Sequence, residues 1–108
     1  MSEAVLLTHD DTLELIKKAQ AGDMQARERL IASNIALVKS LVRRYINRGV
    51  EYDDLLQIGS LGLVKAVLGF KAEYGSRFST YAVPLILGEL KRYMRDDGML
   101  KVSRSVKE

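Results

Sequence analysis

Between positions 70 and 95 the chain alternates flat rings with cations: Phe70, Lys71, Tyr74, Arg77, Phe78 and Tyr81, followed by Lys91, Arg92 and Arg95. Rings offer surfaces on which unpaired bases stack, and cations neutralise phosphates, so this mixture suits a grip on single-stranded nucleic acid. Gly88 lies between the two groups and would let another backbone come close. Pro84 stands beside Leu85 in the same stretch. A proline that deep in a helix removes a hydrogen bond and kinks the axis, and an apolar residue at such a kink has a use in prying apart a base step. The blander reading is an amphipathic helix with a solvated basic side. Composition alone favours it, and Pro84 is the residue that argues against it.

Few other residues could do chemistry. There is no cysteine, and the single histidine, His9, sits in a polar stretch before the first helical pattern. Neither a thiolate nor a mixed metal site is expected, and no nucleophile can be matched to a base, so the chain reads as no enzyme, with no catalytic residue, cofactor or small-molecule substrate. Asp53 and Asp54 are adjacent acids, but at the start of an apolar run they read as helix-capping residues rather than an acid pair.

That run, residues 53–70, is a second feature of note. Its apolar residues cover nearly the whole circumference of a helix, more than a domain of 108 residues can bury. The excess, assigned to Leu56, Ile58 and Ser60 with Asp54 and Gln57, is expected to meet a partner helix, while most of the run is core. Gly59 and Gly62 each cost roughly 1 kcal/mol relative to alanine inside a helix, which predicts a neighbouring helix packed close against their backbone.

The elements that must position these residues are helical throughout. Apolar positions recur at intervals of three and four, proline occurs once, and glycines fall mostly at the ends of periodic segments. The expected fold is an all-α, compact bundle of about four to five helices. A first helix is predicted over 10–21, capped by Thr8 or His9, closed at Gly22, with Leu13, Ile16 and Lys17 inward. Asp23 caps a second, and Ser33 or Asn34 marks a break or a new cap before a third over 34–47. A fourth runs over 53–70 with Asp53 as its cap. A fifth runs over 78–98, capped by Ser79 or Thr80 and stopped at Gly98. Its core stripe is Ala82, Val83, Ile86, Leu87, Leu90, Tyr93 and Met94, with Tyr81, Leu85, Gly88, Lys91, Arg92 and Arg95 facing elsewhere. Residues 99–108 start another helix, with Ser103 or Ser105 as a cap, and stop as it begins, which predicts a truncated longer chain.

The formal net charge is only +3, but acids cluster early and cations late. No apolar run reaches the ~20 residues that span a bilayer, and the first residues lack a signal-peptide layout, so a soluble cytoplasmic protein without a membrane partner is expected.

Three ordered stretches, NIALVKSLVRRYINRG, DDLLQIGSLGLVKAV and RFSTYAVPLILGELKRYMRDDG, resemble region two of bacterial sigma factors. The Tyr-Ala-Val-Pro turn, the Gly88-Glu89 step and RDDGMLKVSRSVKE resemble the sporulation branch of that family. The resemblance implies region two over 1–98, with a short region-1.2-type helix at about 8–33, and the start of region three over 99–108. It implies a protein that docks on the clamp helices of the largest subunit of core RNA polymerase and opens the minus-ten element of promoter DNA, holding the non-template single strand. Docking is then carried by Arg43, Arg48, Asp54, Gln57 and Ile58, beside Leu56 and Ser60. Phe70, Phe78 and Tyr81 surround an extruded base, with Tyr74 and Arg77 in the same loop. Pro84 and Leu85 stand at the wedge, Gly88 and Lys91 at positions that read upstream bases, and Lys101 and Arg104 near the upstream duplex. Ala36 and the Leu68-Gly69 pair depart from the family pattern, and the Pro84-Leu85 wedge is smaller than the tandem indoles of primary factors, which implies weaker melting. An anti-sigma factor is a further partner, and the forespore a compartment, that the branch implies. Two other classes fit the residues: a helical protein-interaction adaptor without a nucleic-acid role, and a duplex-binding repressor with a recognition helix in the major groove.

Overall fold

Each helix starts and stops where local hydrogen bonding allows it. The computed structural model describes residues 7–98, and the sequence-based expectations for 99–108, among them Lys101, Arg104, Ser103 and Ser105, lie outside the described residues. Helix α1 spans His9–Gln20, α2 Met24–Val42, α3 Tyr52–Gly69 and α4 Phe78–Tyr93, and among the described residues there is no strand. Short 3-10 turns follow α2 (Arg43–Tyr45) and α3 (Ala72–Tyr74), and a π-helical turn, Met94–Gly98, follows α4.

Thr8 caps α1, its hydroxyl accepting from the Asp11 N–H at 3.0 Å. Asp10 and Asp11 in the first turn and Lys17 and Lys18 in the last complement the helix dipole. Gly22 takes a left-handed φ of 106°, its N–H donating to the Ala19 carbonyl and that of Asp23 to the Lys18 carbonyl. These two bonds close the helix as a Schellman motif. Asp23 then caps α2 directly, its Oδ1 accepting from the N–H groups of Gln25 and Ala26 at 3.0 and 3.1 Å. One glycine and one aspartate thus turn the whole corner.

Several expectations are corrected here. No break occurs at Ser33 or Asn34: both side chains donate back to the Leu30 carbonyl, at 3.1 and 2.9 Å, so α2 runs through them as one helix. Asp53 is not the cap of α3. Glu51 holds that place without a side-chain bond, and Asp53 and Asp54 sit inside the first turn, where their charge favours the dipole. Ser79 and Thr80 do not cap α4 either, because Phe78 is already helical and buried and Arg77 occupies the cap position. Lys17 points to solvent, and Ile16 and Ala19 are the buried residues of α1.

The core is drawn from all four helices: Ile16, Leu30, Val38, Val42, Leu55, Leu63, Val67, Ile86 and Leu90 are at most 3% exposed. Gly59 and Gly62 of α3 are both buried contacts. A Cβ on Gly62 would lie 2.7 Å from the Ile86 Cα and 2.8 Å from the Leu85 carbonyl, and one on Gly59 would lie 2.7 Å from the Val38 Cγ1. The α3–α4 approach is therefore one that only glycine at 62 permits. Glu89 of α4 is buried in the same seam, where the Lys65 ammonium of α3 donates to its Oε2 and the Arg92 guanidinium lies 3.8 Å away. That pairing meets the requirement that a buried charge be compensated.

Candidate nucleic-acid interface and docking face

The residues after α3 form one aromatic cluster. Phe70 ends the helix, the 3-10 turn carries Tyr74, Gly75 reverses the chain at φ 77°, and α4 begins with Phe78 and brings Tyr81 round one turn later. Phe70 is the hub: its centroid lies 6.0 Å from Tyr74, 5.7 Å from Phe78 and 5.4 Å from Tyr81, each edge to face. Such edge contacts are favourable for aromatic quadrupoles. Tyr74 and Tyr81 lie 5.4 Å apart with planes inclined at 33°. The hub is fixed from behind by α1, whose Gln20 Nε2 donates to the carbonyls of Val67 and Phe70 at 2.9 and 2.8 Å. Those carbonyls are among the orphan acceptors of the α3 C-terminus.

Burial divides the aromatic residues. Phe70 and Phe78 are 2% and 3% exposed and form the floor of the cluster, so neither offers a free stacking face. Tyr74 is 51% exposed and Tyr81 half-buried, so the tyrosines are the rings a base could reach. The inward place of Phe78 had a signal in the sequence: it extends the buried stripe Ala82, Ile86, Leu90 by one further step of four.

Along α4 a single face carries Tyr81, Pro84, Gly88 and Lys91 at alternating steps of three and four, with Arg77 at the cap before it and Arg95 in the π-helical turn that follows. Arg77, Pro84, Gly88, Lys91, Arg92 and Arg95 are exposed. Leu85 is half-buried and packs on the core, so it is less free than a residue turned to solvent. The helix passes through Pro84 without interruption. A Cβ on Gly88 would meet nothing within 4 Å, so nothing within the described residues requires glycine there. Arg95 pairs with its neighbour Asp96 at 3.1 Å in solvent, a contact that is easily exchanged.

A second surface lies on α3. Leu56, Gln57, Ser60, Leu61 and Val64 line a shallow depression of about 390 Å³, flanked by Asp54 at the exposed start of the helix. Leu61 is 45% exposed and Leu68 51%. Ile58 is half-buried against the core. The sequence reading did not assign Leu61 and Val64 to this surface, although the spacing Gln57, Leu61, Val64, Leu68 marks one face. Arg43 and Arg48 are exposed in the turn after α2, with the Arg48 guanidinium 5.8 Å from the centre of the Tyr45 ring.

Two surfaces thus lie on adjacent helices, one basic and aromatic on α4 and one largely apolar on α3, and the helices that carry them are joined by the Gly62 contact and the Lys65–Glu89 ion pair. Residues 30–99 match sigma-70 region 2, and the chain belongs to that family. Among its relatives are the RNA polymerase sigma-F factor of Bacillus subtilis (strain 168), 57% identical over 102 residues, and that of Priestia megaterium, 52% over 107. The RNA polymerase sigma-G factor of Bacillus subtilis is 42% identical over 108 residues. These alignments cover 94%, 99% and 99% of this chain but only 40%, 42% and 42% of the relatives, so the chain spans about two-fifths of their length. The ordering of sigma-F before sigma-G agrees with the sporulation-branch features around Gly88, Glu89 and the RDDG stretch.

Proposed function

We propose that this chain is the part of a sporulation sigma factor that docks on core RNA polymerase and holds the opened minus-ten element. The observation that carries the reading is the α4 face, where a half-buried tyrosine and exposed cations share one side with a glycine that nothing in the fold explains. In this reading the extruded non-template base stacks against Tyr81 and Tyr74 over the Phe70–Phe78 floor. Unstacking a base costs a few kcal/mol, and stacking in the pocket offsets it. Arg77, Lys91, Arg92 and Arg95 hold the phosphates on either side, Pro84 and Leu85 stand at the separated step, and Gly88 admits the backbone or base edges of the upstream pairs. Lys101 and Arg104 continue the contact toward duplex DNA. The α3 depression, with Asp54, Leu56, Gln57, Ile58 and Ser60 and now Leu61 and Val64, receives the clamp helices of the largest subunit, with Arg43 and Arg48 beside it. The compartment is the cytoplasm of the forespore, and an anti-sigma factor is a further partner. Residues 8–33, which span α1 and the first half of α2 rather than a single helix, then correspond to region 1.2 and 99–108 to the start of region three.

Competition binding with the factor assembled on core polymerase tests this. The non-template minus-ten strand should displace a labelled promoter fragment better than its complement or intact duplex does. Preference for intact duplex would favour a major-groove repressor instead, and absence of any salt-dependent nucleic-acid binding would favour a protein adaptor.

A further inference from the structure

We infer that Gly69 is a positioning residue for Tyr81: the last residue of α3 leaves open the slot that the Tyr81 hydroxyl occupies, and so sets the inclination of the ring that receives the base. The inference rests on the base-capture reading above. A Cβ on Gly69 would stand 2.9 Å from the Tyr81 hydroxyl oxygen, closer than such atoms approach, but 3.9 Å from the ring carbon that bears it, an ordinary contact. The conflict therefore belongs to the hydroxyl alone. Tyr81 is half-buried and its hydroxyl is the far end of the side chain, so a methyl at 69 would be accommodated by a swing of the ring rather than by movement of α3. The ring has little freedom to swing in register, since Phe70 and Tyr74 both stand 5.4 Å from it. A swing changes the 33° inclination between the two tyrosines, which is the geometry a stacked base would meet. Alanine is also the better helix former at this position, so the fold should not suffer.

The test is a four-variant comparison in assembled holoenzyme, reading affinity for the single-stranded non-template minus-ten oligonucleotide together with the melting temperature of each factor. Gly69→Ala should weaken binding about tenfold, within the range for one stacked base, with an unchanged or raised melting temperature. In a Tyr81→Phe background, where the hydroxyl is gone, adding Gly69→Ala should change affinity by less than about twofold, because the remaining contact is an ordinary one. Equal losses in both backgrounds, or a Gly69→Ala variant that binds like the parent, would overturn the inference. Tyr81→Ala separates the two claims. If it binds like the parent, base capture at this ring is wrong and the inference falls with it; if it loses binding while Gly69→Ala is silent, capture stands and the positioning role alone is refuted.

Discussion

Gly88 shows how a single residue can be read for function. A glycine inside a helix is disfavoured by roughly 1 kcal/mol against alanine, and natural sequences hold one there when something comes close. At Gly62 that something is the α4 backbone, whereas at Gly88 no described residue comes within 4 Å of an added Cβ. Gly88→Ala should therefore raise stability by up to about 1 kcal/mol in denaturant unfolding while weakening holoenzyme binding to the opened promoter. A variant that is both stabilised and fully competent would remove Gly88 from the interface. At this scale the sequence revealed residue types well and accessibility poorly. The alternation of rings and cations over 70–81 was plain, yet Phe70 and Phe78 are floor and Tyr74 and Tyr81 are surface. The stripe Ala82, Ile86, Leu90 points to Phe78 as buried, but the places of Phe70 and Tyr74 depend on how the loop after α3 folds back on α4, which no local spacing encodes.

At the scale of elements, the α3–α4 pair holds both surfaces in one frame. Gly62→Ala places a methyl against backbone atoms that cannot yield without moving α4, and overpacking of this kind costs about 1 to 3 kcal/mol. Urea unfolding should show that loss, and a neutral result would mean the helices can separate freely. The α3 face is testable independently of the fold through Asp54 and Leu61, which are exposed. Asp54→Arg or Leu61→Asp should weaken association with core polymerase by more than about 1 kcal/mol while the helical circular dichroism stays that of the parent. Binding unchanged in both variants would reject this face. The helices themselves were legible from periodicity and from the Thr8, Gly22 and Asp23 signals. The errors fell where a polar side chain had two uses. Ser33 and Asn34 can start a helix, but here they bond back to Leu30 within one. Likewise Asp53 could cap a helix, but here it sits inside the first turn.

Across the whole molecule, α1 supports a site to which it contributes no reacting group. Gln20 reaches residues 47 and 50 positions away to hold the carbonyls of Val67 and Phe70, and so fixes the floor of the aromatic cluster from the far side of the bundle. A lone glutamine at a helix end carries no sequence signal for such a role. The pairing of buried Glu89 with the half-exposed Lys65 was equally invisible, since the partners lie 24 residues apart on different helices. The central claim is that stacking and phosphate contacts are distinct groups on one face of α4, and they should fail differently. The most direct measurement is the salt dependence of holoenzyme binding to the single-stranded non-template minus-ten oligonucleotide. Tyr81→Ala should cost about 1 to 3 kcal/mol with the logarithmic salt slope unchanged, whereas Lys91→Ala or Arg95→Ala should flatten that slope by about one unit. A Tyr81 variant that melts like the parent and binds as tightly, or cation variants with an unaltered slope, would contradict the account.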